Sequence, residues 1–256
     1  MHVVNPDGSP SWGFDTGHTF PRAPAIGWDG TIYTFSGQTI YALRPDGSKR
    51  WASDIVGGVA APVSVTLSGV VYAASAYLFA LDPGGHQLWR FDNYFLGGAP
   101  AVGPDGTIYA NSQLGATFHA FNPDGSLKWS YQAAECCTPD IPSSPAIGTD
   151  GTIYVGEDLS GAGRVYAFNP DGSVKWQFDI TGLAPTSISL GGDGTIYFGS
   201  GNGGAGPPTV YALNPDGTLK WQYSESIGGY VRTTPSIGVG QRIYAGTADA
   251  FFAIGP

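Results

Sequence analysis

The sequence has few of the side chains on which catalysis and nucleic-acid binding usually depend. It contains two cysteines, one methionine and four histidines, and its 11 Lys and Arg are outnumbered by 20 Asp and Glu, which gives a net charge of −9. Nucleic acids and anionic membrane surfaces are bound through basic residues, so this charge disfavours both as partners. No apolar run reaches the roughly 18 residues of a membrane-spanning helix, and membrane insertion is therefore not expected.

Several sequence signatures of enzymes are missing as well. The four histidines are scattered and give no zinc spacing. The sequence contains no G-x-S-x-G, no phosphate-binding P-loop and no H-E-x-x-H motif. Apolar residues do not recur at intervals of three to four, so helices are not expected. These absences favour an all-β protein without catalytic activity.

Glycine and proline, by contrast, are abundant and recur at fixed points. The chain has 40 Gly and 20 Pro, and a segment typified by NPDGSVKWQF (169–178) occurs in six near copies. Pro presets φ, Asp bonds within its own turn and Gly accepts a positive φ, so each copy predicts a tight turn. A period of about 40 residues is typical of stacked supersecondary units. The tryptophans of the six copies are Trp12, Trp51, Trp89, Trp129, Trp176 and Trp221.

Each repeat contains four short apolar or alternating runs, which we call A, B, C and D in chain order. In the fourth repeat, run A starts near Pro145, and runs B, C and D cover 152–156, 164–168 and 173–178. Runs of this length between turn residues predict β-strands. Six four-stranded antiparallel sheets packed radially make a six-bladed β-propeller, which is the predicted fold for a single domain over 1–256.

The ends of the chain suggest how the propeller ring closes. The sequence starts with a D run at 9–14 and ends with a C run at 250–254, so the last blade lacks a D strand. We expect the N-terminal strand to pair with the C-terminal blade, which removes an exposed sheet edge. The alternative is a fragment of a larger ring, cut at a repeat boundary.

The repeat resembles a known family. The pattern SPAIG-x-DGTIYVG, followed by VYALNPDG-x-x-KW, is similar to the PQQ-like β-propeller repeats of the quinoprotein alcohol dehydrogenase-like superfamily, over essentially the whole chain. The resemblance implies that the repeated tryptophans pack between neighbouring blades, whereas Trp28 has no such counterpart. It implies PQQ and calcium as cofactors by family resemblance alone, since many members bind no quinone and serve as scaffolds or ligand-binding modules.

The two ends of the blades differ in sequence. The A–B and C–D turns are short and rich in Asp and Gly, and we interpret that end as an inert, acidic rim. The B–C and D–A loops vary in length, and function usually lies in such loops. The longest are 132–143, 156–163 and 200–208. The ligand-binding candidates on this loop face are Arg22, Tyr94, Glu135, Cys136, Cys137, Asp140, Glu157, Asp158, Tyr230 and Arg232.

These candidates suggest three kinds of chemistry. Carboxylates at Glu135, Asp140, Glu157 and Asp158 are weak candidates for calcium, because no DxDxDG spacing accompanies them. The rings of Tyr94, Phe95 and Tyr230 are candidate platforms for sugars. Finally, two arginines, Arg22 and Arg232, give the same face a positive side.

The adjacent cysteines are the sharpest oddity. Neither Cys136 nor Cys137 can bond elsewhere within the chain, because no third cysteine exists. We hypothesise a vicinal disulfide, which would be strained because adjacent Cα atoms are about 3.8 Å apart. Quinone-binding relatives carry a vicinal disulfide against their cofactor. The alternative is two free thiols that shape the loop.

Three functions remain open from the sequence. The first is a non-catalytic scaffold propeller that binds a protein, a glycan or a small molecule on its loop face. The second is a PQQ-dependent dehydrogenase-like protein or fragment, and the third is a carbohydrate-binding or carbohydrate-active propeller. We expect an extracellular, cell-surface or periplasmic location.

Overall fold

The computed structural model describes residues 1–17, 23–57, 61–92, 96–112, 117–133, 143–159, 162–181, 185–200, 207–224, 231, 233–247 and 250–255. Within these ranges the chain forms 25 β-strands and one short 3-10 helix, Val239–Gln241. The predicted all-β class is therefore confirmed. None of the described residues belongs to a helix that is long and apolar enough to cross a membrane.

The chain divides into two compact units, Met1–Pro100 and Ala101–Pro256. The first unit contains a hairpin and two four-stranded sheets. The hairpin consists of β1 (His2–Val4) and β2 (Pro10–Gly13). Sheet 1 consists of β3 (Ala25–Ile26), β4 (Ile32–Ser36), β5 (Thr39–Leu43) and β6 (Lys49–Asp54). Sheet 2 consists of β7 (Ser64–Val65), β8 (Val71–Ala74), β9 (Leu78–Leu81) and β10 (Gln87–Phe91).

The remaining strands form four further sheets, of which sheet 3 starts just before the second unit. Sheet 3 consists of β11 (Leu96–Val102), β12 (Ile108–Ser112), β13 (Thr117–Phe121) and β14 (Leu127–Gln132). Sheet 4 consists of β15 (Ala146–Ile147), β16 (Ile153–Asp158), β17 (Ala162–Phe168) and β18 (Val174–Thr181). Sheet 5 consists of β19 (Ser189–Leu190), β20 (Ile196–Ser200), β21 (Thr209–Leu213) and β22 (Leu219–Ser224). Sheet 6 consists of β23 (Ser236–Ile237), β24 (Ile243–Gly246) and β25 (Phe251–Ile254).

The sheets follow the predicted order of runs A to D, with each strand hydrogen-bonded to the next. The A strands are shorter than predicted and cover two residues in five of the sheets. In sheets 1 to 5 the residues of strands B and C are almost wholly buried, while the described residues of strand D are mainly half-buried or exposed. This pattern places strand D at the outer edge of each four-stranded sheet, where one of its faces meets solvent. In sheet 6 the last strand is β25, which alternates between exposed and half-buried residues.

The Pro-Asp-Gly segments form the C–D turns as predicted. In sheet 4, Asp171 Oδ1 accepts hydrogen bonds from the backbone N and the Oγ of Ser173, at 2.9 and 2.6 Å. The amide of Gly172 donates to the carbonyl of Asn169 at 2.9 Å, and Gly172 has a φ of 88°. Only glycine adopts this left-handed conformation without strain, so the sequence of the turn determines its geometry.

The repeated tryptophans join neighbouring sheets. Trp176, on strand D of sheet 4, donates from Nε1 to the carbonyl of Pro215 in the C–D turn of sheet 5, at 3.0 Å. Its ring lies so close to Gly217 that a Cβ there would be 2.6 Å from Cδ2 of the indole. The same hydrogen bond joins Trp12 to Pro45, Trp51 to Pro83, and Trp129 to Pro170, at 2.9–3.0 Å. The docking role that the sequence predicts is thus confirmed for Trp12, Trp51, Trp129 and Trp176.

The N-terminal strand forms a hairpin with a strand that the sequence analysis missed. Strand β2 pairs with β1, in register from His2 opposite Gly13. The Asn5–Gly8 turn joins the two strands directly, and a short loop closes at small entropic cost. In sheet 6, β25 pairs with β24 at the end of a three-stranded sheet. The sheets of the described residues do not include a pairing of 9–14 with 250–254, so closure of the ring stays a prediction.

Candidate functional site

The loop end of the sheets is described only in part. Of the ten predicted ligand-binding residues, the structure describes two, Glu157 and Asp158, which both lie on β16 in sheet 4. The other eight lie outside the described residues: Arg22, Tyr94, Glu135, Cys136, Cys137, Asp140, Tyr230 and Arg232. The vicinal disulfide and the tyrosine platforms therefore stay predictions.

Glu157 is fully buried at the loop end of β16, with a relative exposure of 0%. Neither carboxylate oxygen has a hydrogen-bond partner among the residues that the structure describes. Side chains alternate along a strand, so Glu157 shares a face with Ile153 and Val155. Those two residues pack in one apolar cluster with Tyr109 and Phe118 of sheet 3. The carboxyl group therefore continues the interface between sheets 3 and 4 toward its loop end.

Across sheet 4, Glu157 begins a row of three charged residues. It lies opposite Arg164 on β17, and Arg164 lies opposite Asp179 on β18. Arg164 Nε donates to Asp179 Oδ1 at 2.5 Å, and its Nη1 donates to the hydroxyl of Tyr166 at 3.2 Å. The Asp179 side chain is 61% exposed and that of Arg164 is 20% exposed. The row thus runs from a buried carboxyl group to a carboxylate at the surface.

Burial decides the ionisation of this row. Burial raises the pKa of Glu157, and the nearby Tyr166 hydroxyl and Arg164 guanidinium lower it by less. The pKa of Tyr166 is also raised, mainly by burial, so its hydroxyl stays protonated. The hydrogen bond to Asp179 raises the pKa of Arg164 above its ordinary value, so the guanidinium stays charged. The site therefore combines a carboxyl group that resists ionisation with a permanent cation and an exposed anion.

At the position of Glu157 on strand B, sheet 4 carries a different type of residue from the other five sheets. The six B strands can be aligned on their shared Ile-Tyr or Val-Tyr pair, and five sheets then carry a hydroxyl where sheet 4 has Glu157. These residues are Ser36, Ser75, Ser112, Ser200 and Thr247. In sheet 1 the hydroxyl is satisfied locally, since Ser36 Oγ accepts from Thr16 Oγ1 at 3.0 Å. The sequence analysis named Glu157 because of its loop but missed Arg164, Tyr166 and Asp179. Extending the alignment to strands C and D would have drawn attention to these residues.

The described carboxylates do not fit a calcium site. Successive residues of a strand face opposite ways, so Glu157 and Asp158 do not converge on one ion. Within the described ranges, no group of three or more His, Cys, Asp or Glu side chains is placed to hold a metal. Ca²⁺ takes six to eight oxygen ligands. No step that depends on calcium or a quinone is therefore derived from these residues.

The acidic turns at the opposite end have structural partners. Asp150 accepts hydrogen bonds from the backbone N and the Oγ1 of Thr152 and forms an ion pair with Lys175 at 3.2 Å. Corresponding ion pairs join Arg50 to Asp29, Lys128 to Asp105, and Lys220 to Asp193. A cavity of about 340 Å³ also lies at this end, lined by Tyr197, Trp221, Ile243 and Ile254 among others. Trp221 is the counterpart of Trp176, so the cavity belongs to the repeated docking geometry.

Comparison with known proteins places this architecture among β-propellers. The family model of the outer membrane protein assembly factor BamB matches residues 137–253. BamB from Moraxella catarrhalis is similar in structure, with a TM-score of 0.56 and 19% identity over 96% of this chain and 85% of that one. No protein among the curated sequences matches the chain.

Two further solved structures share the fold at lower identity. A catalytically inactive virginiamycin B lyase from Staphylococcus aureus with quinupristin has a TM-score of 0.74 and 14% identity, over 99% of this chain and 84% of that one. The Dos1 propeller has a TM-score of 0.68 and 10% identity, over 98% of this chain and 70% of that one. Identities this low show the fold alone. Together with the family match, they confirm that this chain is similar to the PQQ-like β-propeller repeat family.

Proposed function

We propose that this protein is a non-catalytic scaffold that binds another protein at the loop end of sheet 4. The charged row of Glu157, Arg164 and Asp179 carries the proposal, because the corresponding row of sheet 1 consists of Ser36, Thr39 and Asp54. A residue that departs from its repeat and whose burial outweighs the interactions that favour its charge is expected at a functional site. The matching family is that of an assembly factor, which supports a protein as the partner.

The exposed end of the row provides the contact. Asp179 offers a carboxylate to a basic side chain of the partner, and Arg164 holds that carboxylate in place through its guanidinium. Tyr166 accepts a hydrogen bond from Arg164 and packs against Tyr131 of sheet 3 with ring centroids 5.5 Å apart. A rigid support of this kind reduces the entropy lost on binding. Glu157 lies beneath this group, and its carboxyl group is the polar group on the buried side.

The proposal includes the finer architecture that the sequence predicts. The protein is a single six-bladed ring over 1–256, closed by the N-terminal strand against the last blade. Its location is extracellular or periplasmic, which agrees with the matching family of an outer membrane assembly factor.

The test compares two aspartates at the same place in different sheets. Asp179→Asn and Asp54→Asn each remove one exposed charge from the end of a D strand, and Asp54 also has a local partner, Thr39 Oγ1 at 2.6 Å. The wild-type protein and both variants are used as bait with extracts of the source cells, and bound proteins are quantified by mass spectrometry. We expect a protein that is enriched on the wild type and on Asp54→Asn and is at least about tenfold depleted on Asp179→Asn.

Other results would contradict the proposal. If a protein is enriched equally on all three baits, its binding site does not include Asp179 and the proposed site in sheet 4 is wrong. If no protein is enriched, but a glycan array or a quinone titration gives saturable binding, then the partner class is wrong. If Asp54→Asn loses binding as well, the loss is an effect of net charge and does not identify Asp179 as a contact residue.

A further inference from the structure

Three large apolar side chains project into solvent at the turn end of sheets 1 and 2. The relative exposures are 71% for Ile26, 74% for Trp28 and 84% for Leu67. Ile26 and Trp28 belong to the A–B turn of sheet 1, and Leu67 belongs to that of sheet 2. Strands β3 and β7, which lead into these turns, lie next to each other in the first unit. Scattered apolar residues at a surface are ordinary, whereas adjacent ones mark interaction sites.

The turn fixes the backbone at Trp28. The amide of Gly27 donates to the carbonyl of Thr31 at 2.8 Å, and that of Gly30 donates to the carbonyl of Gly27 at 3.0 Å. Asp29 Oδ1 accepts a hydrogen bond from the backbone amide of Thr31 at 3.0 Å, which closes the turn on its other side. The side chain of Trp28 extends from this closed turn and is 74% exposed. Because the backbone is already ordered, a partner that covers the ring reduces only the freedom of the side chain.

The other sheets show that the turn does not need a large apolar residue. The position of Trp28 is occupied by Leu67 in sheet 2 and by Val239 in sheet 6, whereas sheets 3, 4 and 5 carry Pro104, Thr149 and Gly192. The turns of sheets 4 and 5 keep the same backbone hydrogen bonds, at 2.8–3.0 Å. The turn conformation therefore does not explain the indole of Trp28.

Sheet 1 also carries extra basic residues beside this turn. Its C–D segment reads RPDGSKRW, with Arg44 and Lys49 where sheet 4 has Asn169 and Val174. The two turns of sheet 1 touch, because a Cβ at Gly30 would lie 3.2 Å from Cγ of Pro45. Neither Arg44 nor Lys49 forms a salt bridge within the described part of the chain, whereas Arg50 pairs with Asp29 at 2.9 Å. Arg44 donates to two neutral acceptors of its own turn, Ser48 Oγ and the carbonyl of Lys49, both at 3.2 Å. The apolar group is thus flanked by two exposed cations in a chain whose net charge is −9.

We propose that Ile26, Trp28 and Leu67, together with Arg44 and Lys49, form a docking surface for a protein segment that combines acidic and apolar side chains. The apolar groups of the segment cover the indole and the two aliphatic side chains, and its carboxylates pair with Arg44 and Lys49, neither of which has a carboxylate partner among the described residues. Trp and Arg are the residue types that most often dominate protein interfaces. Anionic membranes are recognised by clusters of about four to eight basic residues, so a surface with only Arg44 and Lys49 favours a protein segment.

This surface shares no residue with the proposed site in sheet 4. It lies at the turn end of sheets 1 and 2, which the sequence analysis interpreted as an inert rim, and uses neither Glu157 nor Asp179.

The experiment uses residues that the chain itself places at equivalent positions. Trp28→Thr introduces the residue of sheet 4, and Lys49→Leu introduces that of sheet 3, so both variants are expected to fold. The probe is a short fluorescent peptide of alternating glutamate and leucine, with a glutamine-for-glutamate peptide as its control. Binding is followed by anisotropy and by the tryptophan emission, whose peptide-induced shift to the blue should be present in the wild type and absent in Trp28→Thr, because the six other tryptophans are common to both proteins. Thr149→Ala serves as the matched control variant.

We expect saturable binding of the acidic peptide to the wild type and to Thr149→Ala. Trp28→Thr should weaken it at least about tenfold, and Lys49→Leu about threefold with a smaller dependence on salt. Both variants should melt within a few degrees of the wild type, because exposed substitutions change stability by less than about 0.5 kcal/mol. Asp179→Asn should bind the peptide normally, which separates this test from that of the sheet 4 site.

Four results would overturn the inference. They are no saturable binding to the wild type, equal binding to Trp28→Thr, equal binding of the glutamine peptide, and binding of phosphatidylserine vesicles that Trp28→Thr weakens while the peptide is unaffected. The last result would identify a lipid surface as the partner.

Discussion

The turn end and the loop end of sheet 4 differ in how their polar groups are satisfied. At the turn end, Asp150 and Asp171 accept hydrogen bonds from Thr152 and Ser173, and Lys175 pairs with Asp150. At the loop end, Glu157 is fully buried, and no described residue hydrogen-bonds its oxygens. The turn end repeats from sheet to sheet because its geometry is needed for packing. The loop end of sheet 4 departs from the repeat at Glu157, and packing does not explain why a glutamate stands there.

The difference teaches where to look for function in a repeat protein. A side chain that recurs at one position is explained by the contact that recurs with it, as for Trp176 and Pro215. A side chain that occurs in one repeat and destabilises it requires another explanation. Substitutions at the turn end should therefore destabilise the protein, and substitution of Glu157 should stabilise it.

The largest effect is expected for the docking tryptophan. Trp176→Ala removes a half-buried ring together with its hydrogen bond to Pro215, and should lower the free energy of unfolding by about 3 kcal/mol. Trp28→Ala should change it by less than about 0.5 kcal/mol, because that ring is 74% exposed. Urea unfolding followed by circular dichroism measures both values. Similar losses for the two variants would show that the turn-end contacts do not carry the stability assigned to them.

A glycine beneath the ring gives a second, smaller effect. Gly217 has a φ of 85°, and a Cβ there would lie 2.6 Å from Trp176, so Gly217→Ala adds both backbone strain and a clash. We expect a loss of about 2 kcal/mol. Gly192→Ala is the matched control, since its Cβ would have no neighbour within 4 Å. Thermal unfolding should separate the two variants by several degrees, and coincident curves would contradict the packing of Trp176 on this turn.

Replacing Glu157 should have the opposite sign. Glu157→Ser introduces the residue of four other sheets and should stabilise the protein by about 1 kcal/mol at neutral pH. Burial raises the pKa of Glu157 above its ordinary value of 4.5, so the folded state holds a proton that the unfolded state has lost. The stability of the wild type therefore falls as the pH rises above that ordinary value. The variant lacks this dependence.

Thermal melts of both proteins between about pH 4 and pH 8 check this sign. The melting temperature of Glu157→Ser should exceed that of the wild type, and the difference should grow with pH and vanish near the acidic end of this interval. A variant that is less stable than the wild type at neutral pH would mean that Glu157 has a stabilising partner. The comparison between the two ends of sheet 4 would then fail.

The smallest effect is expected for a turn carboxylate. Hydrogen bonds from Thr107 lower the pKa of Asp105 to about 2, with a further contribution from Lys128. Asp105→Asn should reduce stability by less than about 1 kcal/mol at neutral pH, because the side chain is 53% exposed and solvent screens its ion pair. Its folded-state pKa is depressed, so the contribution is present above the ordinary value of 3.8 and is lost as the pH falls toward 2. Melting curves of both proteins in that interval should converge, and a constant difference would contradict the assignment.

Much of the fold could be predicted from local patterns in the sequence. The Pro-Asp-Gly turns, the order of strands A to D and the position of the docking tryptophans follow from residues that are close in the chain, such as Asp171 and Ser173. The strand β1 was missed because its run, His2–Val4, has three residues and no turn before it. The hairpin that β1 forms with β2 was missed for the same reason, and closure of the ring by β2 stays a prediction.

The site was harder to predict, since it depends on contacts across strands. The loop sequence pointed to Glu157 and Asp158 together, but the alternation of β16 turns them to opposite faces. Arg164 and Asp179 are seven and 22 residues from Glu157, and only the register of β16, β17 and β18 aligns them in one row.

The sequence by itself determined the all-β class, the repeat and the turns, because each of these rests on the conformational preferences of a few neighbouring residues. Tertiary structure alone decided which side chains are buried and which of them lack partners. Burial arises when separate sheets pack together, and the ionisation of Glu157 depends on the water that packing removes. The same holds for Trp28, which has the side chain of a docking residue but lies outside every described sheet interface.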